Sequence, residues 1–355
     1  MSAPTTDSAM YATMQRQPED LRRLLGEGWG PAAEAASLLA PAGRVFTVGI
    51  GTSYHAALVG AWLLRSAGLD ARAVSSFDFA IYPESYPLRA DDAVVVLAHT
   101  GVKRYSGESM ARAQAAGATV LSVGSRTAEH PGSRLVLRTT ERERSAAYTA
   151  SHLTAMTVLA QVATELGERR GVPEVAGFRD ALSGLPELVA GLLAREEEIA
   201  PVAREAVGRR VYASGAGPNE ATALELVIKA REAAYATIDA LALEQFLHGP
   251  MVAVNAGDLA VLVRVPGAEE ARVAEVGAVL DAMGAQLWVV GAALPAVPSA
   301  TTFALPALPE TLSPLAAVVP MQLLAYQMAA LQGINPDTFR RDDPRYAAAF
   351  GLIAL

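Results

Sequence analysis

The chain predicts an α/β fold of two tandem, doubly wound parallel sheets, and three observations carry that expectation. Two glycine turns stand at matching places in its halves, Val45-Phe46-Thr47-Val48-Gly49-Ile50-Gly51-Thr52-Ser53 and Val211-Tyr212-Ala213-Ser214-Gly215-Ala216-Gly217-Pro218-Asn219. Each is a short apolar run that closes in Gly-x-Gly and opens an amphipathic segment. Around both turns, short apolar runs alternate with helix-length stretches, the signature of parallel βαβ units. The 355 residues are 52% hydrophobic and only 19% charged, enough to fill two buried cores.

Residues 10–39 place apolar positions at helical spacing and predict a helical lead. Strands follow at 44–48, 71–75 and 93–97, with helices at 54–67 and 107–116; strands at 119–123 and 133–139 complete the first half. A long helical stretch, 151–166 and again 175–204, separates the halves, which divides the chain into 1–173 and 174–355. The pattern then restarts with strand 210–214, helix 221–235, strand 258–263, helix 269–283 and strand 286–290. Residues 295–314 are rich in proline and threonine and read as loop and extended chain. The longest apolar stretch, 315–331, contains Pro320, Gln322, Tyr326 and Gln327 and falls short of the ~20 residues a bilayer span requires. It reads as a buried or subunit-interface helix, and no membrane association is expected.

A net charge of −8 and a pI near 5.3 argue against a nucleic-acid partner, which needs a basic footprint. An anionic ligand would have to be held locally. The absence of cysteine removes disulfides, thiolate zinc sites and thiol nucleophiles together. Residues 1–15 carry no charged-then-apolar signal pattern, so the cytoplasm is the expected location.

A Gly-x-Gly turn at a helix start brings backbone N–H groups and the helix dipole against an anion. Neither copy completes the dinucleotide pattern Gly-x-Gly-x-x-Gly, since Tyr54 and Glu220 hold the last position. Beside Gly51, the residues Thr52 and Ser53 offer hydroxyls where a nucleotide site would want bare backbone. Hydroxyls and N–H groups together suit a terminal phosphate monoester.

The stretches Gly49-Ile-Gly-Thr-Ser-Tyr-His-Ala56 and Ala223-Leu-Glu-Leu-Val-Ile-Lys-Ala-Arg-Glu-Ala-Ala-Tyr235, followed by Leu247-His-Gly-Pro250, resemble the sugar isomerase (SIS) domains of glucosamine-6-phosphate synthase. The resemblance runs over nearly the whole chain, with Thr149, Thr154 and 320–326 also in step. It implies two flavodoxin-like sheets and a phosphosugar bound in the first, at a dimer interface. It further implies that Thr52 and Ser53 contact phosphate or sugar, that Glu232 is the enolisation base with Lys229 beside it, and that His248 opens the sugar ring. The step of sixteen residues from Glu232 to His248 matches the family's.

The chemistry fits those roles. Converting an aldose phosphate into a ketose phosphate needs one base to move a proton between adjacent carbons through an enediol, and a carboxylate can do this. Ring opening needs a second group titrating near neutrality, and imidazole does. The residues alone leave an alternative open: Glu225, Lys229 and Glu232 at i, i+4 and i+7 also describe a solvated ion-pair ladder, and His248 before Gly249-Pro250 a simple turn cap.

Three departures bear on substrate and reaction. The family's Ser-Gln-Ser-Gly-Glu-Thr phosphate loop appears here as Ala98-His99-Thr100-Gly101-Val102-Lys103-Arg104-Tyr105-Ser106, longer by about two residues. Thr100, Gly101, Lys103 and Ser106 remain candidates to cradle phosphate there, against the alternative of an exposed basic turn. The next hydroxyl-rich stretch carries Tyr148 before Thr149, with Tyr148 replacing a small residue at the sugar end. The tail 343–350 has alanine or phenylalanine where the synthase has an imine-forming lysine, and neither a glutaminase segment nor its cysteine is present.

The expectation is therefore a phosphosugar isomerase-type enzyme without metal or organic cofactor, acting on a hexose phosphate or an amino- or amine-substituted one, and not a glutamine-dependent amidotransferase. Deaminases and deglycases of the same family are the nearest alternatives. A phosphosugar-binding sensor is the alternative of another class. A homodimer with the site shared between subunits is expected from the family's use of the histidine loop.

Overall fold

The computed structural model describes residues 7–353. Of these, 16–143 and 150–186 form one compact unit, the N-terminal unit, and 7–15, 144–149 and 187–353 form the other, the C-terminal unit.

The helical lead is two helices, α1 (Ala9–Glu27) and α2 (Trp29–Leu39), and the division between units falls inside α1. The N-terminal unit continues with β1 (Val45–Gly49), α3 (Thr52–Ser66), β2 (Ala71–Ser75), α4 (Ser76–Ile81), β3 (Ala93–Leu97), α5 (Arg104–Ala115), β4 (Thr119–Gly124), β5 (Leu135–Arg138) and α6 (Ala150–Arg170). Its five strands are parallel in the order β2-β1-β3-β4-β5. Helices cover both faces, so β1 and β3 are buried at every position and read as continuous apolar runs rather than alternating ones. Phe46, Val48, Val94, Val96, Phe79 and Met110 form one packed cluster against the sheet.

The helical stretch between the halves is broken into α7 (Phe178–Ser183), α8 (Leu185–Leu193) and α9 (Ala200–Ala206). Gly177 in the left-handed region (φ 82°) and Gly184 bracket the first piece, and Pro201 opens the last. The C-terminal unit then repeats the first topology with β6 (Val211–Gly215), α10 (Glu220–Ala234), β7 (Ile238–Ala242), α11 (Leu243–Leu247), β8 (Leu259–Arg264), α12 (Glu270–Ala282), β9 (Gln286–Gly291) and β10 (Thr301–Phe303). The parallel order β7-β6-β8-β9-β10 is that of the first sheet. Two helices, α13 (Pro314–Gln332) and α14 (Pro344–Phe350), end the described chain.

Three elements escape the sequence pattern. β7 alternates buried and exposed positions at the sheet's edge and carries Asp239, so it presents no apolar run. α4 and α11 are single short helices directly after β2 and β7. The segment 295–314 is extended as expected, and three of its residues pair as β10. The apolar stretch expected to be too short for a membrane lies in a helical span, Glu310–Gln332, that does pass by length and composition; 83% of its most apolar window is nevertheless buried inside the protein. Within the C-terminal unit α13 packs along α10, which makes it a core helix.

The glycine turns share one backbone geometry. A Cβ at Gly49 would lie 2.4 Å from the Ser53 carbonyl oxygen, and one at Gly215 would lie 2.4 Å from that of Asn219. The second glycines, Gly51 (φ 58°) and Gly217 (φ 54°), both adopt the left-handed region. The first glycine admits the helix start and the second reverses the chain into it.

Candidate functional site

In the N-terminal unit β1 and β3 are neighbours, Val48 beside Val96, so the loops leaving their carboxyl ends emerge side by side. That is where open α/β sheets collect ligands. The first loop is the glycine turn. The Tyr54 and His55 N–H groups close on the Gly51 carbonyl at 2.8 and 3.1 Å, which starts α3 at Thr52 and leaves Gly51, Thr52 and Ser53 half-buried at its tip.

The second loop runs from Ala98 into α5. Gly101 (φ 100°) bends back so that its N–H donates to the Ala98 carbonyl at 3.1 Å, with Thr100 half-buried beside it. Ser106 is buried, and its hydroxyl is already engaged. Its Oγ accepts from the Lys103 N–H at 2.8 Å and donates to the Lys103 carbonyl at 3.0 Å, closing the first turn of α5. Lys103 and Arg104 are exposed, with Arg104 paired to Glu108 at 3.3 Å. The structure thus gathers Gly51, Thr52, Ser53, Thr100, Gly101, Lys103 and Ser106 at one end of one sheet.

Four residues support these loops from behind. His99 Nε2 accepts from the Glu143 N–H at 3.2 Å, Glu143 Oε1 accepts from the Ser151 N–H at 2.7 Å at the start of α6, and His152 Nδ1 stands 3.2 Å from the Thr52 carbonyl. Burial holds His99 below its ordinary pKa, and the neutral ring is the form that can accept. His99, Glu143 and Ser151 share no spacing that sequence could flag, because the fold brings them together across 44 and 8 residues.

In the C-terminal unit the catalytic candidates lie on α10. The Lys229 ammonium bonds to Glu232 Oε2 and stands 3.6 Å from Glu225 Oε1. Glu225 and Lys229 are 0% exposed and Glu232 is 14% exposed. These are not the solvated ladder that their spacing also allowed. Burying three charged groups costs several kcal/mol per ion in desolvation, and an unpaired remainder costs more. The fold alone gives no reason to bear this, and buried charge clusters of this kind gather at working sites. Glu232, bonded to the Lys229 ammonium, is the one member of the three that keeps some exposure.

His248 ends α11 and is 77% exposed, with its Nε2 3.5 Å from Glu244 Oε2. Glu244 also binds Arg272, so the imidazole joins a surface network instead of the α10 cluster. Tyr148 is half-buried and Thr149 is buried, the Thr149 carbonyl accepting from Gln322 Nε2 on α13 at 3.2 Å. Both belong to the C-terminal unit with α10. Among the described residues no group of three or more His, Cys, Asp or Glu side chains is assembled to hold a metal ion.

The SIS domain family model matches residues 38–165, the span from the end of α2 into α6. The isomerizing glutamine–fructose-6-phosphate aminotransferase of Pyrococcus horikoshii is 29% identical over 334 residues, which cover 92% of this chain and 56% of that protein. The chain therefore spans little more than half the length of the curated relatives it matches. Among solved structures, the C-terminal domain of glucosamine-fructose-6-phosphate aminotransferase from Francisella tularensis has a TM-score of 0.84 at 18% identity, covering 93% of this chain and 98% of that one. Tagatose-6-phosphate ketose/aldose isomerase from Escherichia coli has a TM-score of 0.78 at 18% identity, covering 95% and 96%. These structures share the fold of two parallel sheets, and residues 38–165, which carry β1 to β5, match the SIS, or sugar isomerase, domain family.

Proposed function

We propose that this chain is a phosphosugar isomerase-type enzyme acting on a hexose phosphate or an amino- or amine-substituted hexose phosphate. One observation carries the reading: in the Glu225–Lys229–Glu232 cluster, buried within α10, only Glu232 reaches solvent. On the open-chain sugar phosphate, the Glu232 carboxylate takes the proton from the carbon beside the carbonyl. The C–H electron pair forms the C=C bond, the carbonyl π pair moves onto its oxygen, and the proton of the adjacent hydroxyl passes to that oxygen, giving an enediolate. The same carboxyl returns the proton to the neighbouring carbon, and the carbonyl moves by one position. Lys229 orients the carboxylate. The hydroxyls of Thr52 and Ser53, the loop 98–106 and their N–H groups hold the phosphate, so no metal or organic cofactor is needed.

An imidazole 77% exposed on a single chain supports a role for His248 in a second copy, opening the sugar ring in a homodimer whose sites are shared. We place the enzyme in the cytoplasm, without nucleic-acid or membrane partners.

The deciding experiment incubates the protein with hexose and hexosamine phosphates in D₂O and follows deuterium entry at the carbon beside the carbonyl by NMR. Exchange with aldose–ketose interconversion is expected, and Glu232→Gln should slow it by about 10²–10⁴ with substrate binding retained. Release of ammonia or amine instead would make it a deaminase or deglycase. Saturable binding without exchange on any substrate would make it a sensor. For the shared site, Glu232→Gln and His248→Ala should each be inactive and regain activity when subunits are exchanged; an active monomer would refute sharing.

A further inference from the structure

The two glycine turns match in backbone and differ in what sits on them. In the N-terminal unit Ile50, between the two glycines, is 52% exposed and the turn faces outward. In the C-terminal unit the residue in that place is Ala216, and its N–H donates to Glu269 Oε2 at 3.0 Å. Glu269 comes from the connection between β8, the neighbour of β6, and α12, and it is only 5% exposed. Its other oxygen lies 3.5 Å from Asn219 Nδ2, which donates to Ser313 Oγ at 2.8 Å. A carboxyl oxygen on the middle N–H of a Gly-x-Gly turn, beside the start of a long helix, is where an anionic ligand's oxygen would sit.

One further feature opposes any outside anion there. Glu310 lies against the same connection, its Oε2 accepting from the Ala268 N–H at 2.8 Å, so a second carboxylate lies near the first.

We propose that Glu269 is a built-in occupant of the second glycine turn, seated on the Ala216 N–H in place of a phosphate oxygen, and that it closes the C-terminal unit to phosphate esters. The second sheet keeps the backbone of an anion site and fills it with its own side chain. Removing the side chain should open the turn, whereas an isosteric neutral side chain should keep it filled. The inference concerns a turn the proposed reaction does not use, and its readout is local to that turn.

The test follows the Ala216 and Asn219 amides of the full-length protein by NMR during titration with inorganic phosphate. In the unsubstituted protein these amides should not move. In Glu269→Ala the Ala216 amide should shift saturably, with affinity at least about tenfold tighter than in Glu269→Gln, where the amide side chain still occupies the turn. A saturable shift at Ala216 in the unsubstituted protein would overturn the proposal, as would a folded Glu269→Ala whose amides stay still, or equal affinity in the two variants. If Glu269→Ala does not fold, Glu269→Ser takes its place with the same expected saturable shift at Ala216 and the same overturning results, and a saturable shift in the unsubstituted protein refutes a closed turn whichever variant is used.

Discussion

The two sheets are built to one plan, and they differ in what fills their matching positions. Counted from the second glycine of each turn, Val59 and Leu63 of α3 stand where Glu225 and Lys229 stand on α10, and all four are fully buried. The N-terminal unit fills these positions with apolar side chains and keeps its glycine turn open. The C-terminal unit fills them with a charged pair and closes its turn with Glu269. Because α3 shows that the topology accepts aliphatic residues at these helix positions, the ion pair of α10 is not a requirement of the fold. The comparison separates scaffold from site more sharply than either half could alone.

The largest expected effect comes from making α10 resemble α3. Lys229→Leu alone leaves two buried or part-buried carboxylates without their ammonium and should cost about 3–5 kcal/mol of stability by denaturant unfolding. The double change Glu225→Val with Lys229→Leu copies the first half's pair and should recover most of that loss, since replacing a buried ion pair by packed apolar groups is often neutral or stabilising. Both variants should lose turnover. A double variant as unstable as the single one would mean that the two helices are not interchangeable scaffolds, and the comparison would fail.

Much of this was legible in the sequence. The strand at 93–97 stands where its apolar, β-branched run places it, and both glycine turns announce themselves. The spacing of Glu225, Lys229 and Glu232 showed that they share a helix face, but spacing carries no information about burial, and burial is what distinguishes a solvated ladder from a working cluster. What stayed hidden depends on tertiary contact. β7 is an edge strand with half its positions facing outward, and its sequence has no reason to look like a core strand. Glu269 reaches Ala216 across 53 residues, and a glutamate preceding a helix reads as an ordinary first-turn acid. Ser106 looked like a phosphate hydroxyl because of where it falls after a strand, while the local hydrogen bonds that occupy it follow from the first turn of α5.

Glu269 itself supplies a second way to sharpen the contrast. Burial, with Glu310 nearby, pushes its carboxyl up to about 8, well above the range of an unfolded glutamate. The folded state therefore holds this proton more tightly than the unfolded chain does. Its contribution to stability is fully present below the unfolded value and is lost as pH rises through about 8. Glu269→Gln carries no titrating group, so its advantage over the unsubstituted protein should be small under acidic conditions and grow to on the order of a few kcal/mol above the folded value. Thermal unfolding across that range measures it. A constant difference between the two proteins would show that the carboxyl in the turn does not titrate with folding.

The smallest effect tests the open turn against the loop beside it. Ser53 lies at the tip of the first loop, half-buried, whereas the Ser106 hydroxyl is bonded to both the N–H and the carbonyl of Lys103. Ser106→Ala should therefore act as loss of a helix cap, lowering stability by about 1 kcal/mol and leaving KM for the phosphate ester nearly unchanged. Ser53→Ala should do the reverse, raising KM with little change in unfolding, because the lost group serves the ligand and not the helix. Competition by inorganic phosphate gives the same comparison without knowledge of the sugar. If Ser106→Ala weakens phosphate as strongly as Ser53→Ala does, the cap must open on binding, and the Ser106 hydroxyl would itself be a phosphate ligand instead of a group that only shapes the second loop.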